Sequence, residues 1–140
     1  MSNTAIVFWS STGNTEAMAD AVKAGAREAG AEVSVFAASD FSADMAADFD
    51  AIAFGCPAMG DEVLEEDEFQ PMFDKVLPAL KGKKVALFGS YGWGDGQWMR
   101  DWEQTCKESG VELACDSVIA NEYPDEEAAA ACKALGAALV

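Results

Sequence analysis

Apolar runs of strand length alternate with segments of helical period along this chain, and glycine or proline marks most of the changes. A short run that is apolar at nearly every position needs cover on both faces, which is the setting of a parallel sheet between helices. Residues 4–9, 50–55 and 84–89 are such runs; residues 32–36 alternate briefly as a further strand, and 113–120 contain a fifth. Between the first two strands, the stretch from Asn14 to Glu28 sets Met18, Ala21, Val22, Gly25 and Ala29 on one helical face, with Gly30 as its stop. Helices are also expected over about 68–80, where Pro71 fits only near the first turn, and over 96–109. Pro124 opens a last helix whose inner face is Ala128, Ala131, Cys132, Leu135 and Leu139. With right-handed crossovers, this order gives an α/β fold: a three-layer α/β/α sandwich on a five-stranded parallel sheet. Its ligand belongs beyond the carboxyl ends of the strands.

The 140 residues suit one domain over 1–140, and 51% hydrophobic with 24% charged residues is a globular composition. The chain has no histidine, and Cys56, Cys106, Cys115 and Cys132 form no C-x-x-C pair. A thiolate–imidazole zinc site and Ser-His or Cys-His catalysis are therefore excluded, and the cysteines are expected as free, mostly buried thiols. Twenty-five acidic against nine basic groups give a net charge of −16, which repels nucleic acid and anionic membrane and attracts basic protein surfaces. No apolar run reaches membrane-spanning length, and Met1-Ser2-Asn3-Thr4 lacks the start of an export signal, so a cytoplasmic monomer is expected.

Three strand-end loops carry the chemistry. Ser10-Ser11-Thr12-Gly13-Asn14-Thr15 joins a strand to a helix start with hydroxyl and amide groups, and no Lys or Arg lies near it. Such a loop binds phosphate through neutral donors and the helix dipole, although Ser or Thr at a helix start also serves as a plain cap. Without a G-x-x-x-x-G-K-[ST] lysine it is not a triphosphate-hydrolysing loop. Pro57-Ala58-Met59-Gly60-Asp61-Glu62 follows the third strand; its Met59 suits an aromatic ring, although the loop also reads as an ordinary Gly-Asp turn. After the fourth strand, Ser90-Tyr91-Gly92-Trp93-Gly94-Asp95-Gly96 sets two aromatics among glycines, where tight turns prefer small polar residues. A ligand with a phosphate at one end and a wide aromatic ring at the other, such as FMN, answers all three.

These segments, taken as 8–16, 55–62 and 83–96, resemble the short-chain flavodoxins of anaerobic bacteria, in order and spacing over essentially the whole chain. The resemblance implies strand order 2-1-3-4-5, non-covalent FMN and one-electron carriage between redox partner proteins with basic docking surfaces, without substrate turnover. By position it assigns Ser10, Thr12, Asn14, Thr15 and Ser90 to the FMN phosphate, within a cofactor-binding set that also takes in Ser11, Gly13, Pro57, Ala58 and Tyr91. Met59 would cover the inner face of the ring and Trp93 the outer. Glu62 would meet the pyrimidine edge, Gly92 and Gly94 the O2 side, and the Gly60–Asp61 peptide would turn its carbonyl toward a protonated N5. Pro57 stands where some members carry a phosphate-binding serine, and Tyr123 is an additional residue in 121–124, which leaves a flavin contact from Glu122 open.

The expected cycle runs between semiquinone and hydroquinone, because a Gly60 carbonyl favours a protonated N5. Charge at Asp61, Glu62, Glu65, Glu66, Asp67 and Glu68 opposes formation of an anion and lowers the second potential. The acidic stretch also reads as a solvated helix start. Trp9, Trp98 and Trp102 are assigned to packing. The alternatives are an FMN-dependent quinone reductase and, more distantly, a receiver domain, whose acidic pair and aspartate are replaced here by Trp9-Ser10 and Gly55-Cys56. A cysteine phosphatase lacks its arginine after Cys56.

Overall fold

The computed structural model describes residues 3–140; Met1 and Ser2, part of the stretch read for an export signal, lie outside the described residues. Its elements are β1 (Asn3–Phe8), α1 (Asn14–Glu28), β2 (Glu32–Ala37), α2 (Ala43–Ala46), β3 (Ala51–Gly55), α3 (Phe69–Val76), β4 (Lys84–Tyr91), α4 (Gln97–Glu108), β5 (Val118–Asn121) and α5 (Glu126–Ala138). The strands form one parallel sheet in the order β2-β1-β3-β4-β5, as expected.

The sheet is hydrophobic on both faces because each central strand alternates between two cores. On one face Ile6, Ala51, Ala53, Ala86 and Phe88 pack against Met18 and Val22 of α1, Cys132 and Leu135 of α5, and Leu139 just beyond it. On the other, Val7, Ile52, Phe54 and Leu87 meet Phe69 and Phe73 of α3 and Trp98 and Trp102 of α4. The aromatic rings there meet edge to face, Phe54 on Phe73 at 5.1 Å and Trp102 on Phe69 at 5.4 Å between centroids. Helices α1 and α5 approach closely because Gly25 and Gly136 lie at their crossing. A Cβ at Gly25 would run into the Lys133 carbonyl, and one at Gly136 into the Val22 carbonyl.

Register places the site. Phe8 pairs with Gly55, and Gly55 with Phe88, so β1 and β3 end level with each other while β4 runs three residues further, to Tyr91. The differences from expectation have local causes. Trp9 has left β1, although its N–H still bonds the Gly55 carbonyl at 3.0 Å. Ala29 is exposed because α1 ends at Glu28, and Ala21, Ala128 and Ala131 are only half-buried. The fifth strand is shorter than 113–120. Leu113 bridges Val85 and Val118 pairs with Phe88, so five residues advance while β4 advances three, and the surplus bends out of the ladder. The turn of α2 carried no sequence signal long enough to read.

Candidate cofactor site

Chain leaving β1 turns through Ser10–Asn14 into α1. The residue before the helix is Gly13, in the left-handed region at φ 91°, and no side chain of its own caps the helix. Ser10 Oγ reaches the loop instead, accepting from Gly13 N–H at 3.2 Å and, at the long limit, from Glu16 N–H at 3.4 Å. Ser11 and Thr12 are exposed, and Ser10 and Asn14 half-buried. An open helix start ringed by neutral oxygen and amide groups is a seat for an anion.

Below it, Thr15 Oγ1 and Ser90 Oγ share a hydrogen bond of 2.8 Å, with both residues buried. This bond ties the first loop to the third. Each hydroxyl can both donate and accept, so one proton and spare lone pairs remain for a ligand above.

The second loop is bound to β4 by Cys56 N–H to the Phe88 carbonyl at 3.1 Å and Ala58 N–H to the Ser90 carbonyl at 2.9 Å. It then closes on itself: Glu62 N–H bonds the Met59 carbonyl and Met59 N–H the Val63 carbonyl, both at 2.9 Å. Gly60 and Asp61 are thus the central, exposed pair of a β-turn, while Pro57, Ala58 and Met59 are half-buried. The left-handed residue of this turn is Glu62, at φ 54°, not Gly60. The Glu62 carboxylate lies against Gly94 of the third loop, and its Oε1 is buried with no donor.

In the third loop Tyr91 packs on Trp98 at 5.6 Å, and its carbonyl receives the Glu122 N–H at 2.7 Å. Gly92, Trp93 and Gly94 are exposed, Trp93 at 62%. An indole this open is the exception in a molecule that buries Trp98 and Trp102 almost completely. Trp9 is half-buried and donates to Glu68 Oε1 at 3.1 Å. All three expected site loops are therefore contiguous, the first with the third through Thr15–Ser90 and the second with the third through Glu62–Gly94. They lie side by side, joined at these two contacts.

One expectation is corrected here. Glu65, read as part of a solvated run, is buried and its carboxylate accepts from the N–H groups of Asp67, Glu68 and Phe69 at 2.7–2.8 Å. Burial would raise its carboxyl, but the three N–H donors of Phe69, Glu68 and Asp67 outweigh that and hold it below the usual range. The thiol of Cys56 is pushed up to about 12, first by burial, with the Glu65 N–H bond opposing and the Glu65 charge adding. All four cysteines are free, and Cys115 is the one not fully buried. The remaining acids of the run, Asp61, Glu66, Asp67 and Glu68, are exposed. Among the described residues no group of side chains could hold a metal ion, and no helix is long and apolar enough to cross a membrane.

Comparison with known proteins agrees with this frame. A flavodoxin from Megasphaera elsdenii is 49% identical over 133 residues, covering 95% of each chain. A flavodoxin from Clostridium beijerinckii is 48% identical over 121 residues, 86% of this chain and 88% of that one. The solution structure of two-electron reduced Megasphaera elsdenii flavodoxin superposes with a TM-score of 0.89 over 97% of each chain. The family model described as Flavodoxin matches residues 6–136. The chain belongs to the flavodoxin family.

Proposed function

We propose that the three loops seat FMN, and that this chain passes electrons singly between larger redox proteins, working at low potential. As a flavodoxin it is an FMN-binding electron carrier and not a substrate-converting enzyme. The observation that carries the seating is the orphaned Glu62 Oε1, a buried acceptor beside two glycine-rich turns with no protein donor. Such an atom in a native fold calls for a ligand donor, and a ring N–H supplies one. The other residues fit the same group. Ser10, Ser11, Thr12, Gly13, Asn14 and Thr15, with Ser90 beneath, hold the phosphate through neutral donors. Met59 and Trp93 flank the ring, with Pro57, Ala58 and Tyr91 at its borders and Gly92 and Gly94 giving it backbone access.

When bound, FMN supplies two separable one-electron steps. The protein sets their spacing. The Gly60–Asp61 peptide can rotate without breaking either hydrogen bond of its turn, so its carbonyl would be able to accept a hydrogen bond from a ring N–H in one redox state and turn away in another. Asp61, Glu66, Asp67 and Glu68 add negative charge around a phosphate that no lysine or arginine neutralises, and this opposes a further electron. The same acids suit transient docking of basic redox partners. A cytoplasmic, monomeric, single-domain protein over 1–140 completes the reading.

Stepwise reduction of the FMN-loaded protein, followed by visible absorption, tests it. The spectrum should pass through a distinct one-electron form, without steady NAD(P)H-dependent quinone turnover. A protein that takes up no FMN would overturn the assignment; quinone turnover by the protein alone would favour a reductase.

A further inference from the structure

We propose that Cys56 and Glu65 form a clasp that closes the loop 57–64 and thereby sets how far apart the two one-electron potentials lie; they act as positioning residues, not as flavin contacts. This rests on FMN being seated across the three loops.

Cys56 uses every polar group it has. Its N–H donates to the Phe88 carbonyl at 3.1 Å, its carbonyl accepts from Trp98 Nε1–H at 3.2 Å, and its Sγ accepts from Glu65 N–H at 3.4 Å. The thiol in turn lies 3.5 Å from the Pro57 carbonyl, as its donor. Gly89 makes room for this, since a Cβ there would strike the Cys56 carbonyl. One end of the loop is therefore fixed to β4 and α4. The other end is fixed through Glu65, whose carboxylate takes three N–H groups at the start of α3. The Sγ–HN bond joins the two ends across nine residues of chain. Between them lies the Met59–Glu62 turn, whose Gly60–Asp61 peptide takes part in neither of the turn's hydrogen bonds.

A loop closed in this way pre-organises the turn, so the difference in energy between its two peptide orientations is felt as a difference in potential rather than dissipated in loop motion. A thiol suits the position physically. It is buried, it stays neutral up to about pH 12, and a neutral sulfur accepts an N–H at a length that a hydroxyl could not span.

Two measurements on Cys56→Ala test the clasp. In the full chain without FMN, amide exchange at Glu65 and across 57–64 should quicken about three-fold or more, the equilibrium worth of one weak hydrogen bond. In the FMN-loaded protein, the equilibrium constant for forming the one-electron form from the oxidised and fully reduced forms should fall by a similar factor. Cys132→Ala, which empties a buried thiol site in the other core, should lower Tm while leaving both readouts unmoved. Cys56→Ser, with a shorter reach, should fall between wild type and alanine. If Cys56→Ala does not fold, Glu65→Gln carries the same two readouts. Unchanged exchange and unchanged potentials in the variant that folds would overturn the clasp and leave Cys56 a packing residue. Failure of the wild-type chain to take up FMN would overturn the seating instead, while the exchange arm would still decide whether the loop is clasped.

Discussion

Thr15 and Ser90 sit 75 positions apart in the sequence, yet one bond between their hydroxyls joins two of the site loops. Thr15→Val keeps the shape and removes the partner, so the Ser90 hydroxyl is left buried and unpaired. Chemical denaturation should register a loss of about 1–2 kcal/mol, and FMN affinity should fall with it. The thiols of Cys106 and Cys132 are, like that of Cys56, raised by burial to about 12 from an ordinary 9.0. Between those values the unfolded chain has released protons that the native one keeps, so stability falls as pH rises above 9.0. Denaturant midpoints measured from pH 8 to 11 should decline accordingly, and replacing these cysteines with alanine should flatten the decline. Trp93 stood out in the sequence because an indole among glycines has no evident packing reason to be there, whereas Met59 sat in a loop that also reads as an ordinary Gly-Asp turn. Glu65 was not legible, because one acid in a run of acids bears no mark of burial, and neither was the Sγ bond of Cys56.

At the level of elements, long periodic segments read well and register did not. The bounds of α1 follow directly from its apolar face and Gly30, whereas the break between Leu113 and Val118 depends on pairing with β4 that no local pattern records. The crossing of α1 and α5 is a second case. Gly25 was visible as part of an apolar face, but that it lies against Lys133, and Gly136 against Val22, was not. Gly136→Ala improves local helix propensity by about 1 kcal/mol. Its Cβ meets backbone, which cannot rotate away, so the helices must part. Overpacking of this kind costs about 1–3 kcal/mol, and thermal unfolding should show a net loss.

Over the whole molecule, a charge of −16 on 140 residues dominates encounters with other proteins. Electron-transfer rates to a basic acceptor protein should fall steeply as salt is raised past about 0.15 M, where the screening length is about 8 Å. An acidic acceptor should show the opposite trend. The fold class and the loops were readable at this scale because both depend on chain order alone. The closeness of the loops was not, because it depends on the pairing register that sets Phe8 and Gly55, the ends of β1 and β3, beside Phe88 of β4.

The sheet ends on one side in β2, six residues long, with Val35 open to solvent and, among the described residues, no strand beyond it. Bare main-chain donors and acceptors along such a margin are a template on which a second molecule can stack. Mutual repulsion between like-charged molecules keeps them apart at neutral pH. Lowering the pH toward the sequence pI of about 4.1 removes the net charge behind that repulsion, so the protein should cloud on acid titration and clear on return to neutrality, with light scattering as the record. The same charge that would steer a basic partner thus also opposes self-assembly.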